Sequence, residues 1–128
     1  IEFNTDGTKM FVTTYFDGIF QYSLSTGFDI STATYDNVNI APESGWLRSI
    51  VFNPDGTKLY SVHLSGAQTS IRQYSLSTGF DLSTFSSDIS SFEATEDSMS
   101  GMAFNTDFTK MYLIAAGSDD IYQYSIGS

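Results

Sequence analysis

Fifteen Asp and Glu, five Lys and Arg, one His and no Cys make up the ionisable inventory of this 128-residue chain. Without Cys there is no thiolate nucleophile, thiolate metal ligand or disulfide. With His63 as the single histidine, one copy cannot assemble an ordinary zinc site. Carboxylates are abundant, but glycoside cleavage needs two of them about 5 to 10 Å apart across a cleft, and no pair is singled out by spacing or repetition. The serines of Ser-Leu-Ser-Thr-Gly have no nucleophile-elbow context. Asn-x-Asp-Gly looks like the start of a calcium loop, yet the acid an EF-hand needs at its last position falls on Thr13. In the second copy the first ligand position falls on Val51. No catalytic residue, no metal site and no cofactor are therefore expected. Calcium held loosely by paired loop acids such as Asp119 and Asp120 stays an alternative. His63 itself reads as a strand-end or loop residue.

Charge narrows the partners. The net charge is −10, the opposite of the basic footprint a nucleic-acid binder requires, so nucleic acid is excluded. Three of the five bases, Lys9, Lys58 and Lys110, stand at matching places beside turns and read as solvated turn-edge lysines. No apolar run approaches the roughly twenty residues of a membrane span, and no signal peptide is visible in this segment.

The elements that carry these residues are set by an internal repeat. Phe3-Asn-Thr-Asp-Gly-Thr-Lys9 returns as Phe52-Asn-Pro-Asp-Gly-Thr-Lys58 and as Phe104-Asn-Thr-Asp-Phe-Thr-Lys110. Gln21 to Thr32 returns as Gln73 to Thr84 with one change, Ile30 to Leu82, and begins again at Gln123-Tyr-Ser-Ile126. Each period, near fifty residues, holds short strand-forming runs between turn clusters and no amphipathic helix. The second repeat reads as strands over Leu47–Phe52, Lys58–His63, Ser70–Leu76 and about Phe85–Ser90. In the first repeat Phe20, Tyr22 and Leu24 alternate with Ile19, Gln21 and Ser23, which predicts a sheet packed on its aromatic face. Asn-Pro-Asp-Gly suits a type I turn followed by a left-handed Gly. The third copy has Phe108 there, so that turn is expected to be strained or differently shaped.

Four antiparallel strands recurring at this period are the pattern of a β-propeller blade. The repeat lacks a Trp-Asp dipeptide and a Gly-Gly kelch doublet. It resembles the YVTN-like propeller repeats with a "PDGTKLYV…YQYSLST-FD-ST" pattern found in surface and tail-associated proteins of bacteria and their phages. The expected fold class is all-β, with about two and three-quarter four-stranded antiparallel blades in the chain. Blade 1 covers about 1–40, blade 2 about 47–91 and an incomplete blade 3 about 99–128. A closed ring needs about four to eight blades, so the chain is expected to be part of a larger propeller or to form an oligomeric one. The expected partners are thus other copies of itself or the rest of a longer propeller.

Loop lengths point to a binding face. The interval from the repeated Lys to the next Gln varies, while the other intervals are constant, so variation is confined to the links Thr14–Gly18, His63–Ser70 and Ala115–Asp119. In an antiparallel meander these open on the same side as the blade-to-blade links Ile40–Trp46 and Phe92–Ser98, and insertions gathered on one side of a repeat protein mark its binding face. Tyr15, Asp17, Glu43, Trp46, Glu93, Glu96, Asp97, Asp119 and Asp120 are the candidate ligand-facing residues, with Tyr15 and the single Trp46 the candidates for stacking. The expected function is a non-enzymatic binding or structural module. Together with the resemblance, this implies adhesion or recognition of a protein or glycan ligand at an extracellular or phage-particle surface. Two alternatives stand beside it: a piece of a lactonase-like or glycan-processing propeller enzyme with its catalytic residues elsewhere, and an engineered or excised fragment that oligomerises.

Overall fold

The computed structural model describes residues 1–41, 45–66, 68–94 and 99–126. Among them eleven strands build three antiparallel sheets, with no α-helix. Strands β1 (Glu2–Phe3), β2 (Lys9–Thr14), β3 (Gly18–Leu24) and β4 (Ala33–Ile40) form the first sheet in chain order. Strands β5 (Trp46–Phe52), β6 (Lys58–Ser65), β7 (Gln68–Leu76) and β8 (Phe85–Ala94) form the second in the same way. The third sheet comprises β9 (Met99–Phe104), β10 (Lys110–Ala115) and β11 (Ile121–Ser125). No helix among the described residues is long and apolar enough to cross a membrane.

Local chemistry explains why the meander repeats. In the first hairpin turn Asn4 Oδ1 accepts from the Lys9 N–H at 2.9 Å, and Asp6 Oδ1 accepts from the N–H and hydroxyl of Thr8 at 3.0 and 2.6 Å. The second and third turns repeat these bonds with Asn53, Asp55, Thr57 and with Asn105, Asp107, Thr109. The carboxylate that suggested calcium is thus spent on its own turn, the Asx-turn role that Asn and Asp take in preference to regular structure. Between the third and fourth strands, Asp29 and Asp81 cap 3₁₀ turns at Ile30–Thr32 and Leu82–Thr84 by accepting from Ser31 and Ser83.

Phe108 does not reshape its turn. Its φ is 56°, beside 73° and 72° for Gly7 and Gly56, and its N–H donates to Asn105 O at 3.1 Å as Gly7 donates to Asn4 O. The left-handed strain is retained, and packing compensates for it. The rings of Phe28 and Phe80 cover Gly7 and Gly56, where a Cβ would overlap them. In the third turn Phe108 supplies the ring itself, stacked on Phe104 at 4.6 Å.

The sheets pack face to face through two cores. Phe11 and Ile19 of the first sheet meet Leu47, Ile50, Phe52, Leu59, Tyr74 and Leu76 of the second. Val62 and Ile71, on the opposite face of the second sheet, meet Met99, Met111 and Leu113 of the third. One aromatic contact marks both junctions, Phe11 on Phe52 and Tyr60 on Phe104, each at 4.6 Å between ring centres. A polar bond crosses the first. Gln21, only 3% exposed, accepts from the Leu82 N–H at 2.8 Å and donates to Asp36 at 2.8 Å.

Several expectations need correction. In β3 the deeply buried face holds Ile19 and Gln21, while Phe20 and Tyr22 lie on the other side against Tyr35. That aromatic side of the first sheet has no neighbouring sheet among the described residues, so its rings are only half-buried. Lys9 is no solvated turn-edge residue, because its Nζ bonds Ser23 at 2.7 Å and Asp36 at 3.0 Å. His63 is a core residue inside β6, 2% exposed and 2.7 Å from Ser61 Oγ through Nε2. Strand β8 runs four residues beyond Ser90, and Phe92 and Glu93 therefore belong to a strand paired with β7 instead of a link.

A candidate ligand-binding edge

Alternating strand direction brings the ends of β2, β4, β6, β8 and β10 and the starts of β3, β5, β7, β9 and β11 to one edge of the three sheets. On that edge the structure gathers one compact cluster. Tyr15 and Phe16 form the tip of the β2–β3 turn, which Thr14 Oγ1 steadies by accepting from the Asp17 N–H at 2.9 Å. The Leu47 N–H donates to Tyr15 O at 3.3 Å and ties this turn to the start of β5. Phe16 stands edge-on to Trp46 at 6.1 Å and to Tyr15 at 6.4 Å.

Arg48 completes the group. The β5–β6 register shifts between Leu47 and Ser49, and such a bulge re-aims the extra side chain. The Arg48 guanidinium carbon lies 5.3 Å from the Tyr15 ring centre and 6.0 Å from that of Trp46, within cation–π range. Its Nε is buried and has no hydrogen-bond partner among the described residues. The three rings stay 54, 70 and 48% exposed for Tyr15, Phe16 and Trp46. Such a surface offers flat apolar faces beside a half-buried cation. It can stack on a planar or CH-rich ligand face and donate N–H groups to a carboxylate or hydroxyl.

The acids expected to share this face are dispersed. Asp17 borders the cluster in its turn. Asp119 sits in the β10–β11 turn at φ 60°, and the neighbouring Asp120 accepts there from the Ala115 N–H through its carbonyl and from Tyr122 Oη at 3.4 Å through its carboxylate. Glu93 pairs with Ser70 in the β7–β8 ladder. Glu43, Glu96 and Asp97 lie outside the described residues. No three His, Asp or Glu among the described residues come together as metal ligands. The one Ser–His pair seen, Ser61 with His63, is sealed in the core at 0 and 2% exposure, out of reach of a substrate.

Of the four residues in this cluster, the sequence singled out Tyr15 and Trp46 but not Phe16 and Arg48. A signal existed for Phe16, since two consecutive aromatics in a turn cannot both enter a core. Arg48 was hidden because strict alternation back from Phe52 and Ile50 places it on the core face and ignores the bulge.

No family model matches this chain, and no curated protein matches it.

Proposed function

We propose that the three sheets are successive blades of a β-propeller-type array and that the chain works as a non-enzymatic binding module. Three meanders of one repeat, stacked in chain order through equivalent contacts, support the blade reading. The observation that carries the binding reading is the Tyr15–Phe16–Trp46–Arg48 cluster. Three large rings, each left about half exposed or more around one cation, are costly for a monomeric surface unless something covers them. The ligand class that suits it best is a saccharide, whose CH face stacks on Trp46 or Tyr15 while an acidic or hydroxyl substituent accepts from Arg48. Adhesion or recognition at a cell or particle surface is the setting that fits this chemistry and the YVTN-like resemblance.

A glycan array probed with the chain and with Trp46→Ala tests the reading. Selective retention of a saccharide set by the parent, reduced at least tenfold in the variant, supports it. Equal signals from both, or none from either, would sink it.

A further inference from the structure

The two outer faces of the stack carry a repeat of the junctions inside it. The free face of the third sheet presents Tyr112, Ile114, Ile121 and Gln123, in register as Tyr112 opposite Gln123 and Ile114 opposite Ile121. By repeat position these four correspond to Phe11, Thr13, Ile19 and Gln21, the face with which the first sheet covers the second. The free face of the first sheet presents Phe3, Met10, Tyr22 and Leu24 with the 3₁₀ turn at Ile30. These correspond to Phe52, Leu59, Tyr74, Leu76 and Leu82, the face of the second sheet that receives it. At two of these positions the end faces are open where the internal junction is closed: Ile121 is 71% exposed where Ile19 is 3%, and Ile30 is 69% exposed where Leu82 is 2%, while Met10 and Leu24 stay buried within their own sheet.

We infer that the third sheet of one copy docks on the first sheet of a second copy, repeating the internal junction with Tyr112 on Phe3 and Gln123 accepting from the Ile30 N–H. This rests on the reading of the sheets as a repeat array, and it adds the occupant and the register. The internal contacts supply the expected geometry. The rings meet at 4.6 Å at both existing junctions, and the Gln-to-backbone bond at the first is 2.8 Å long. The contact is head-to-tail, so each copy uses a different face and the association closes into a ring when the rotations sum to a full turn. An adjoining sheet of a longer polypeptide would present the same chemistry, and the test tells the two apart.

Light scattering after size exclusion is expected to give a discrete assembly of at least twice the 14.1 kDa chain mass. The paired change Ile114→Glu and Ile121→Glu, at side chains already 46 and 71% exposed, should return it to a single-chain mass without loss of the cooperative unfolding transition. The absence of Cys allows register to be read directly. Mixing Ile30→Cys chains with Gln123→Cys chains and adding a short bismaleimide should yield a cross-linked pair, whereas mixing Phe16→Cys with Gln123→Cys should not. A parent chain that is monomeric yet unfolds cooperatively overturns the docking and leaves the array intact, with the end faces assigned to another part of a polypeptide. A monomer without cooperative unfolding overturns both. An assembly that survives the double Glu variant, or cross-links from the Phe16 mixture alone, also refutes the inferred contact.

Discussion

Replacing Gln21 by Ala should destabilise the chain far more than the same change at Gln73, although the two occupy one repeat position. Gln21 is buried and makes two bonds that hold the first junction together, one from the Leu82 N–H and one to the Asp36 carboxylate. Truncation leaves a buried N–H without its acceptor, which costs about 1 to 3 kcal/mol. Asp36 keeps its bonds from Ser23 and Lys9, so the second loss is smaller, and the sum is about 2 to 3 kcal/mol. Gln73 instead lines a groove of about 260 Å³ with Tyr60, Phe92 and Tyr124, and its truncation should cost about 0.5 kcal/mol or less. Urea unfolding reads both. With a slope of about 2 kcal/mol per molar, Gln21→Ala should lower the midpoint by about 1 to 1.5 M and Gln73→Ala by under about 0.3 M. Equal shifts would refute the claim that a polar bond across the sheets locks the first junction.

Three further expectations follow from other contacts. Gly7→Phe should cost at least about 2 kcal/mol through left-handed strain and overlap with Phe28. Adding Phe28→Gly should restore part of it, because Phe108 shows that the turn accepts the ring from its own side. A coupling energy below about 0.5 kcal/mol in that double-mutant cycle contradicts the exchange. Acid should destabilise the fold through four carboxylates. Asp36 is pushed up by burial, but its bonds from Gln21, Ser23 and Lys9, with the Lys9 charge, outweigh this and hold it below the ordinary 3.8. Asp6, Asp55 and Asp107 are lowered chiefly by the hydroxyls of Thr8, Thr57 and Thr109. Folded values below unfolded ones mean stabilisation that is complete above about pH 4 to 5 and is lost as pH falls through the folded values. The thermal midpoint should therefore hold steady from pH 7 to about 5 and drop below pH 4, with a shallower drop in Asp36→Asn; an unchanged slope in that variant would exclude Asp36 as a contributor. Arg48→Ala should leave the urea midpoint within about 0.5 M while weakening saccharide retention at least tenfold; unaltered retention would remove Arg48 from the site.

What could be read from the sequence was local. The Asn-x-Asp-x-Thr-Lys turns close through bonds spanning at most five residues, so their recurrence revealed the hairpins and the all-β class before any coordinates. The capped 3₁₀ turns after Gly27 and Gly79 close through equally local bonds, which the repeat of Gln21–Thr32 as Gln73–Thr84 carried without revealing their shape. Burial was legible only where both neighbours are present. Alternation in β3 correctly separated two faces, but which face is covered depends on sheet order, and there the polar Gln21 proved deeper than Tyr22. Its partner Leu82 is sixty-one residues away, beyond any periodicity. Lys9 illustrates the same limit, since Asp36 reaches it only after two strands have folded back. At the loop edge composition found Tyr15 and Trp46, while a one-residue bulge decided that Arg48 would lie between their rings.

The most direct test of the central claim is a ¹H–¹⁵N spectrum recorded while the chain is titrated with a saccharide retained on the array. Binding at the loop edge should concentrate the shifts on the amides of Tyr15, Phe16 and Asp17, the Trp46 indole N–H and the Arg48 Nε–H. Shifts confined to the opposite edge around Phe28 and Ile30, or a spectrum that does not move, would contradict it.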